Sequence, residues 1–267
     1  MADALALYLR LVGAQVRSQL QYRASFALDV TGVFLVTFLD FVAVLILFEN
    51  VPALAGWTLH EVAFLYACTC ISFAFVDLAI GSLDLFPRMI REGTFDVVLV
   101  RPRGSLFQVI ASDFALHRLG RVLQGAVVFG FALSGISVDW TVGRVAMVGV
   151  MLVSGGLIFA AVWIAGATIA FWTVDGGEFT NVFTYGGNYL SQYPISIYGE
   201  WLRRLLAFVI PMSFVCYFPS LYVLDKEDSL GFPRAFQFAS PLVALAVALV
   251  AAVIWTSAVR RYRSVGS

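Results

Sequence analysis

The chain has 267 residues, of which 61% are hydrophobic and only 13% are charged. A soluble domain carries about 25% charged residues, so this composition indicates a protein that resides in a lipid bilayer. The 17 basic and 17 acidic residues give no formal net charge, which argues against a nucleic-acid partner because phosphates are bound by basic surfaces.

Residues 1–24 are predicted to form an amphipathic helix that lies in the membrane interface. Leucine and valine side chains recur at helical spacing on one face, whereas Arg10, Arg17 and Gln21 fall on another. Arginines on the polar face of such a helix are directed toward lipid phosphates. Arg10 and Arg17 also interrupt any apolar core that a signal peptide would need. The alternative is that this segment forms the first turns of a long spanning helix.

Six apolar segments are long enough to cross a bilayer, which takes about 20 residues each. They are Ser25–Phe48, His60–Leu83, Phe107–Leu133, Val142–Trp172, Trp201–Leu224 and Ser240–Val259. These segments predict an all-α polytopic membrane protein with residues 1–267 in a single domain. Pro211 and Pro219 should kink or end the fifth segment early, which leaves residues 218–237 as an extracellular re-entrant element.

The distribution of basic residues predicts the orientation of these spans. With the N-terminus in the cytoplasm, fourteen arginines fall on the cytoplasmic side, and only Arg144, Lys226 and Arg234 fall outside. Cytoplasmic segments of membrane proteins are enriched in arginine and lysine. Both termini and the loop 84–106 are therefore expected in the cytoplasm.

The cytoplasmic loop 84–106 is predicted to be a docking surface for a partner protein. Pro87 can begin a short helix and Gly93 can end it, after which Phe95, Val98 and Leu99 provide apolar side chains. Topology alone would explain the arginines of this loop. It would not explain the apolar side chains among charged ones, a pattern that is typical of a partner interface.

Acidic residues inside the predicted spans allow two interpretations. A carboxylate at the bilayer centre costs about 2.5–3.5 kcal/mol on insertion scales. Asp29 and Asp40 are eleven residues apart, about three helical turns, and so share one helix face, while Asp77 lies in the second span. In the first interpretation the three acids line a transport pathway for cationic or polyhydroxyl substrates. In the second they pair with Arg118, Arg121 or backbone groups and hold helices together.

No catalytic or cofactor-binding motif is recognisable in this sequence. A nucleotide-binding P-loop needs a Gly-Lys-Ser/Thr sequence, but the only lysine is Lys226 in "LDKEDS". His60 and His117 are solitary, and the three cysteines lie in apolar runs, where they act as small hydrophobic residues. We therefore predict that the chain is not an enzyme and binds no cofactor or metal itself.

Two long motifs, "RMIREGTFDVVLVRPRGSLFQ" and "YPISIYGEWLRRLLAFVIPMSFVCYFPSLYVL", and the tail "RRYRSVGS" resemble the membrane subunits of bacterial type 2 ABC exporters. The resemblance implies a six-helix permease of the bacterial inner membrane that exports a substrate from the cytoplasm or inner leaflet. A separate ABC ATPase would hold ATP and magnesium, and a second permease, related but different in sequence, would complete the pathway among membrane lipids. The polar stretch Thr173–Tyr198 is longer than the link that this family would have there.

The resemblance further implies that residues 86–99 form a coupling helix that docks on the ATPase. The residues expected to take part are Phe86, Arg88, Ile90, Arg91, Glu92, Phe95, Asp96, Val98, Leu99 and Arg101. Two other functions stay open: an ion-driven secondary carrier that uses intramembrane acids as proton sites, and a purely structural assembly subunit. Dependence on a co-purifying ATPase separates the permease from the carrier.

Overall fold

The computed structural model describes residues 2–173 and 176–263, which are predominantly helical and contain no β-strand. Met1, residues 174–175 of the predicted polar stretch and residues 264–267 of the C-terminal motif lie outside the described residues. The α-helices of the described residues are α1 (Ala2–Leu20), α2 (Arg23–Asn50), α3 (Leu59–Ile80), α4 (Phe86–Arg91), α5 (Phe95–Leu99), α6 (Ser105–Ile110), α7 (Leu119–Gly135), α8 (Val142–Ala167), α9 (Gly176–Ser191), α10 (Glu200–Arg204), α11 (Tyr217–Val223) and α12 (Ser240–Arg261).

Short irregular helices connect several of these elements. Turns of 3₁₀ helix cover Gly81–Leu85, Leu116–Arg118, Thr168–Phe171, Ile195–Ile197, Met212–Phe214 and Arg234–Phe238, and Leu205–Val209 is a π-helix.

By length and composition, four helical segments within the described residues can cross a membrane. They are Arg23–Asn50, Leu59–Arg91, Val142–Phe171 and Ser240–Arg261. Glu200–Val209 and Met212–Val223 together form a fifth if the pair is one span, and the two halves meet at 73°. Pro211 lies at the break, where a kink was predicted, whereas Pro219 lies inside α11 and does not end it. The predicted count of six spans goes beyond these four or five.

The predicted third span, Phe107–Leu133, is interrupted. α6 ends at Ile110 and α7 begins only at Leu119, which leaves α7 with 17 residues. Side chains satisfy the backbone at the interruption, because the Ser112 hydroxyl donates to the Val109 carbonyl at 2.7 Å. Gln19 of α1 also donates to the Phe114 carbonyl at 2.5 Å. Such side-chain bonds let a chain leave the helix without losing hydrogen bonds.

Helix α3 lies at the centre of the packing, between α7, α8 and α9. Its Phe73 ring stacks on Trp163 of α8 with centroids 5.6 Å apart, and Tyr185 of α9 meets Phe73 edge-on at 5.4 Å. Gly120 allows α7 to approach α2 closely, because a Cβ atom there would clash with the Val30 carbonyl oxygen. The polar stretch Thr173–Tyr198, which is longer than the expected link, contains α9, a helix packed against α8 and α3.

Candidate functional site

The segment from α4 to α5 (86–99) is fixed to the rest of the chain by a cluster of aromatic rings. Phe86 and Phe95 are fully buried and meet edge to face at 5.2 Å. Both also contact Phe171, which follows α8, at 5.1 Å and 5.5 Å. Trp255 of α12 lies 5.1 Å from Phe86, and Tyr262 lies 5.3 Å from Phe95. A displacement of this segment would therefore be transmitted directly to α8 and α12.

Phe86, Ile90, Phe95 and Val98, which the sequence predicted to dock on a partner, are buried within the chain. Ile90 and Val98 are each only 7% exposed, and the two phenylalanines are not exposed at all. The sequence shows that these four residues are apolar, but it does not show which other residues of the chain cover them. Here the aromatic residues at the ends of α8 and α12 cover it, so these four side chains position the segment from inside.

The outer side of the segment carries a different apolar group. Val97, Leu99 and Val100 are 54%, 39% and 82% exposed. Exposed charged side chains surround them: Arg88, Arg91, Glu92 and Arg101. We call these seven residues the α4–α5 surface. An exposed apolar centre with a charged rim is the composition of a protein interface.

Helical spacing explains why Val97 and Val100 were missed as site residues. Phe95 and Val98 are three residues apart and share the buried face of the helical turn. Val97 and Val100 have the same spacing and share the opposite face. Apolar residues on both faces of a short helix are the signal that could have identified the exposed pair.

Polar contacts within the segment are local. Arg88 pairs with Glu92 at 2.6 Å, four residues along the chain, and both side chains are largely exposed, so the pair contributes little to stability. Burial raises the pKa of Tyr262, and the neighbouring Asp96 carboxylate raises it further. Asp96 therefore faces the end of α12, and it is only partly available to a partner.

Asp77 forms a buried ion-pair cluster that joins α3 to α7. Its carboxylate lies 2.6 Å from the Arg121 guanidinium and 3.3 Å from that of Arg118. Arg118 also donates to the backbone carbonyls of Asp77 and Gly81, at 2.7 Å and 3.2 Å. The pairing of an intramembrane acid with these two arginines, one of the two interpretations of the sequence, is present in the structure.

Asp40 lies instead at a small polar cavity between α2, α3, α7 and α9. The cavity has a volume of about 30 Å³ and is lined by Thr37, Asp40, Tyr66, Cys70, Arg121, Gln124, Tyr185, Asn188, Tyr189 and Gln192. The Tyr189 hydroxyl is 3.5 Å from the Asp40 carboxylate, which is a weak contact. Arg121 links this cavity to the Asp77 cluster. Asp29 is exposed on α2 and does not line the cavity.

Sequence reasoning missed the contribution of α9 to this cavity. Asn188 of α9 and Gln192, directly after it, line the cavity, and together with Thr180 and Thr184 they recur every four residues and are buried. Residues at this spacing lie on one face of a helix. A polar stripe at helical spacing, in a chain with so few polar residues, is the signal that could have revealed it.

Two ion pairs hold the loop after α11 at the other end of the bundle. Lys226 lies 2.9 Å from Glu61 at the start of α3, and Asp225 lies 3.0 Å from Arg144 at the start of α8. Adjacent residues of opposite charge thus bind two different helices. Asp225 adopts a positive φ of 55° to do so, a backbone conformation that is unfavourable for a residue other than glycine. Among the described residues, no group of three or more His, Cys, Asp or Glu side chains could hold a metal ion.

One family of known proteins matches the chain. The profile of the ABC-2 family transporter proteins matches residues 34–266, a range that begins within α2 and includes every later helix. No curated protein and no solved structure matches the chain.

Proposed function

Because the chain belongs to the ABC-2 transporter family, we propose that it is the permease subunit of an ATP-driven exporter. It would move a substrate from the cytoplasm or inner leaflet across the bacterial inner membrane. The observation that carries the proposal is the family match over residues 34–266. The α4–α5 surface adds a place at which energy from another protein can enter.

ATP and magnesium would be bound by a separate ABC ATPase. The chain has no P-loop, and its single lysine, Lys226, is engaged with Glu61. The ATPase would dock on the α4–α5 surface. Movement of that surface would then pull on Phe86 and Phe95, and through them on α8 and α12.

The proposed topology has six spans with both termini in the cytoplasm. α7 would be the third span, and the bent pair from Glu200 to Val223 would be the fifth. Residues 1–24 would lie in the interface, and residues 218–237 would form the extracellular re-entrant element. The excess of arginine in the segments assigned to the cytoplasm supports this orientation.

A second permease, related but different in sequence, would complete the transport pathway. α2 leaves a long apolar face uncovered by the rest of the chain, and only 11% of its apolar window is buried. Leu28, Val36 and Leu39 on this face are between 65% and 73% exposed. Asp29 lies on the same helix and is exposed. A carboxylate in a span normally faces a partner or a cavity, so Asp29 would face the second permease.

Asp40 is the residue that we propose faces the pathway. Asp77 has two close arginine partners, whereas Asp40 lines a polar cavity, where its nearest hydrogen-bond partner among the described residues is Tyr189 at 3.5 Å and where Arg121 reaches it only electrostatically. Asp77 on α3 is paired with Arg118 and Arg121. Its proposed role is therefore to hold α3 in position against α7.

The direct test is native mass spectrometry of the complex that co-purifies with the tagged full-length chain. The expected result is four chains: this permease, a second permease and two ABC ATPases, with ATP hydrolysis in the same preparation. Ion-gradient-driven transport in liposomes by this chain alone, without any ATPase, would favour the ion-driven carrier and overturn the proposal.

A further inference from the structure

A groove of about 730 Å³ lies beside the α4–α5 segment, between α1 and α6. Its apolar walls come from Met89, Val98, Pro102 and Phe107. This volume is within the range of pockets that hold small amphiphilic molecules, about 300–1,000 Å³.

The rim of the groove is basic. Arg101 and Arg103 line it, and no aspartate or glutamate is among its lining residues. Neither arginine forms an ion pair with an acid in the described part of the chain. Their charges are therefore available to an anionic ligand. Arginine binds phosphate oxygens through two parallel hydrogen bonds, which gives orientation as well as affinity.

Hydrogen bonds fix the turn that carries the two arginines. The Arg103 amide donates to the Arg101 carbonyl at 2.8 Å. The Gln108 side chain of α6 donates to the carbonyls of Arg103 and Val98, at 2.8 Å and 3.0 Å. The basic rim is thus held by α5 and α6 and is not part of a free loop.

The opposite wall, α1, is likewise held in place. Gln15 donates to the Ser112 carbonyl at 3.3 Å, and Gln19 accepts from the Leu116 amide at 2.9 Å. Tyr8 donates to the Ala79 carbonyl at 3.2 Å, and its ring lies 6.4 Å from that of Phe107. Under the proposed topology, on which this inference rests, α1 would lie at the boundary of headgroups and acyl chains, and the groove would open at the depth of lipid phosphates.

We propose that this groove binds an anionic phospholipid. Its phosphate would lie between Arg101 and Arg103, and an acyl chain would run along the apolar wall at Phe107 and Val98. Basic pockets between helices at the cytoplasmic face of membrane proteins are suited to lipid headgroups. The apolar wall favours a lipid over free phosphate, and the groove shares no lining residue with the cavity at Asp40.

Arg103 distinguishes this site from the α4–α5 surface. Arg101 and Val97 belong to both, whereas Arg103 lines only the groove. A bound lipid would therefore lie next to the ATPase docking surface without being part of it. Arg103→Gln tests lipid binding with the proposed ATPase contacts left intact.

The experiment is native mass spectrometry of the purified full-length chain, without ATPase, after exposure to equal amounts of phosphatidylglycerol or phosphatidylcholine. We expect the wild type to retain phosphatidylglycerol in preference to phosphatidylcholine. Retention should fall about fivefold in Arg103→Gln and further in the double variant Arg101→Gln/Arg103→Gln, since each juxtamembrane arginine contributes about that factor. Arg261→Gln, an exposed arginine at the end of α12, is the matched control and should retain the lipid as the wild type does.

Equal retention of the two lipids by the wild type would overturn the proposal. Undiminished phosphatidylglycerol retention in the double variant would overturn it as well. If millimolar inorganic phosphate displaces the bound lipid completely, the site is a phosphate site and the lipid assignment is wrong. An unchanged unfolding temperature shows that the variants are folded.

Discussion

Phe86 and Phe95 meet edge to face, with ring centroids 5.2 Å apart and an interplanar angle of 87°. One residue begins α4 and the other begins α5. Gly93, with a positive φ of 67°, makes the turn that brings them together. Since both rings also contact Phe171, the segment is packed against the end of α8. Under the proposed function, this packing would carry movement of the α4–α5 surface to the spanning helices.

Removal of the Phe95 ring should destabilise the protein. Phe95→Ala leaves a cavity among Phe86, Phe171 and Tyr262, and such a truncation in a packed core costs about 3–5 kcal/mol. Val97→Ala is the matched control, because that side chain is 54% exposed and should change stability by less than about 0.5 kcal/mol. Thermal unfolding of the purified chain measures both. Equal unfolding temperatures for the two variants would contradict the aromatic anchor.

Neutralisation of Asp77 should also destabilise the protein. Asp77→Asn leaves Arg118 and Arg121 without their counter-charge, and breaking a buried pair in this way costs about 3–5 kcal/mol. The two arginine side chains are 16% and 24% exposed, so we expect the lower end of that range. The same thermal unfolding assay applies. Stability near that of the wild type would show that the ion-pair cluster does not hold α3 to α7.

Neutralisation of Asp40 should instead affect transport. Asp40→Asn keeps the side-chain shape and its weak contact with Tyr189 but removes the charge at the polar cavity. Stability should change by less than about 1 kcal/mol, because Arg121, the cation whose charge reaches Asp40, keeps its close ion pair with Asp77. Substrate-stimulated ATP hydrolysis by the assembled complex should fall. The matched control is Glu49→Gln, an exposed acid at the end of the same helix. Transport at the wild-type rate in Asp40→Asn would assign Asp40 a purely structural role.

The close approach of α7 to α2 gives a test of helix packing. In Gly120→Ala the added methyl group would clash with the Val30 carbonyl and lie 2.8 Å from the Phe34 amide nitrogen. Backbone cannot move aside at low cost, so we expect a loss of about 1–3 kcal/mol. Gly130 is on the same helix and has no neighbouring atom within 4 Å. Gly130→Ala should leave stability unchanged or raise it slightly, because alanine favours helix.

The long apolar helices were predictable from the sequence because hydropathy and length determine which segments can span a bilayer. The break at Pro211 was predictable for a similar reason, since proline lacks a backbone donor. The helix α9 was not, because its polar residues resemble those of a loop until Thr184 and Asn188 are seen buried against the core.

The candidate sites, like the helices, could be predicted from the sequence only in part. Asp77 and its two arginines could be named from the sequence, but only the packing of α3 against α7 decides that they pair. The division of the α4–α5 segment into a buried and an exposed face depends on Phe171 and Trp255. These residues are 85 and 169 positions along the chain from Phe86, which they contact, and no local pattern predicts such contacts.

The most direct test of ATPase coupling is the double variant Val97→Asp/Val100→Asp, made in the ATPase-bound complex. Both valines are exposed, so the chain should fold with the wild-type unfolding temperature. Charges at the apolar centre of the α4–α5 surface should weaken ATPase association at least about tenfold, and ATP-dependent transport should fall with it. Val142→Asp, at an exposed valine that begins α8 at the other end of the bundle, should change neither. Unchanged ATPase association and unchanged transport in the double variant would contradict the account.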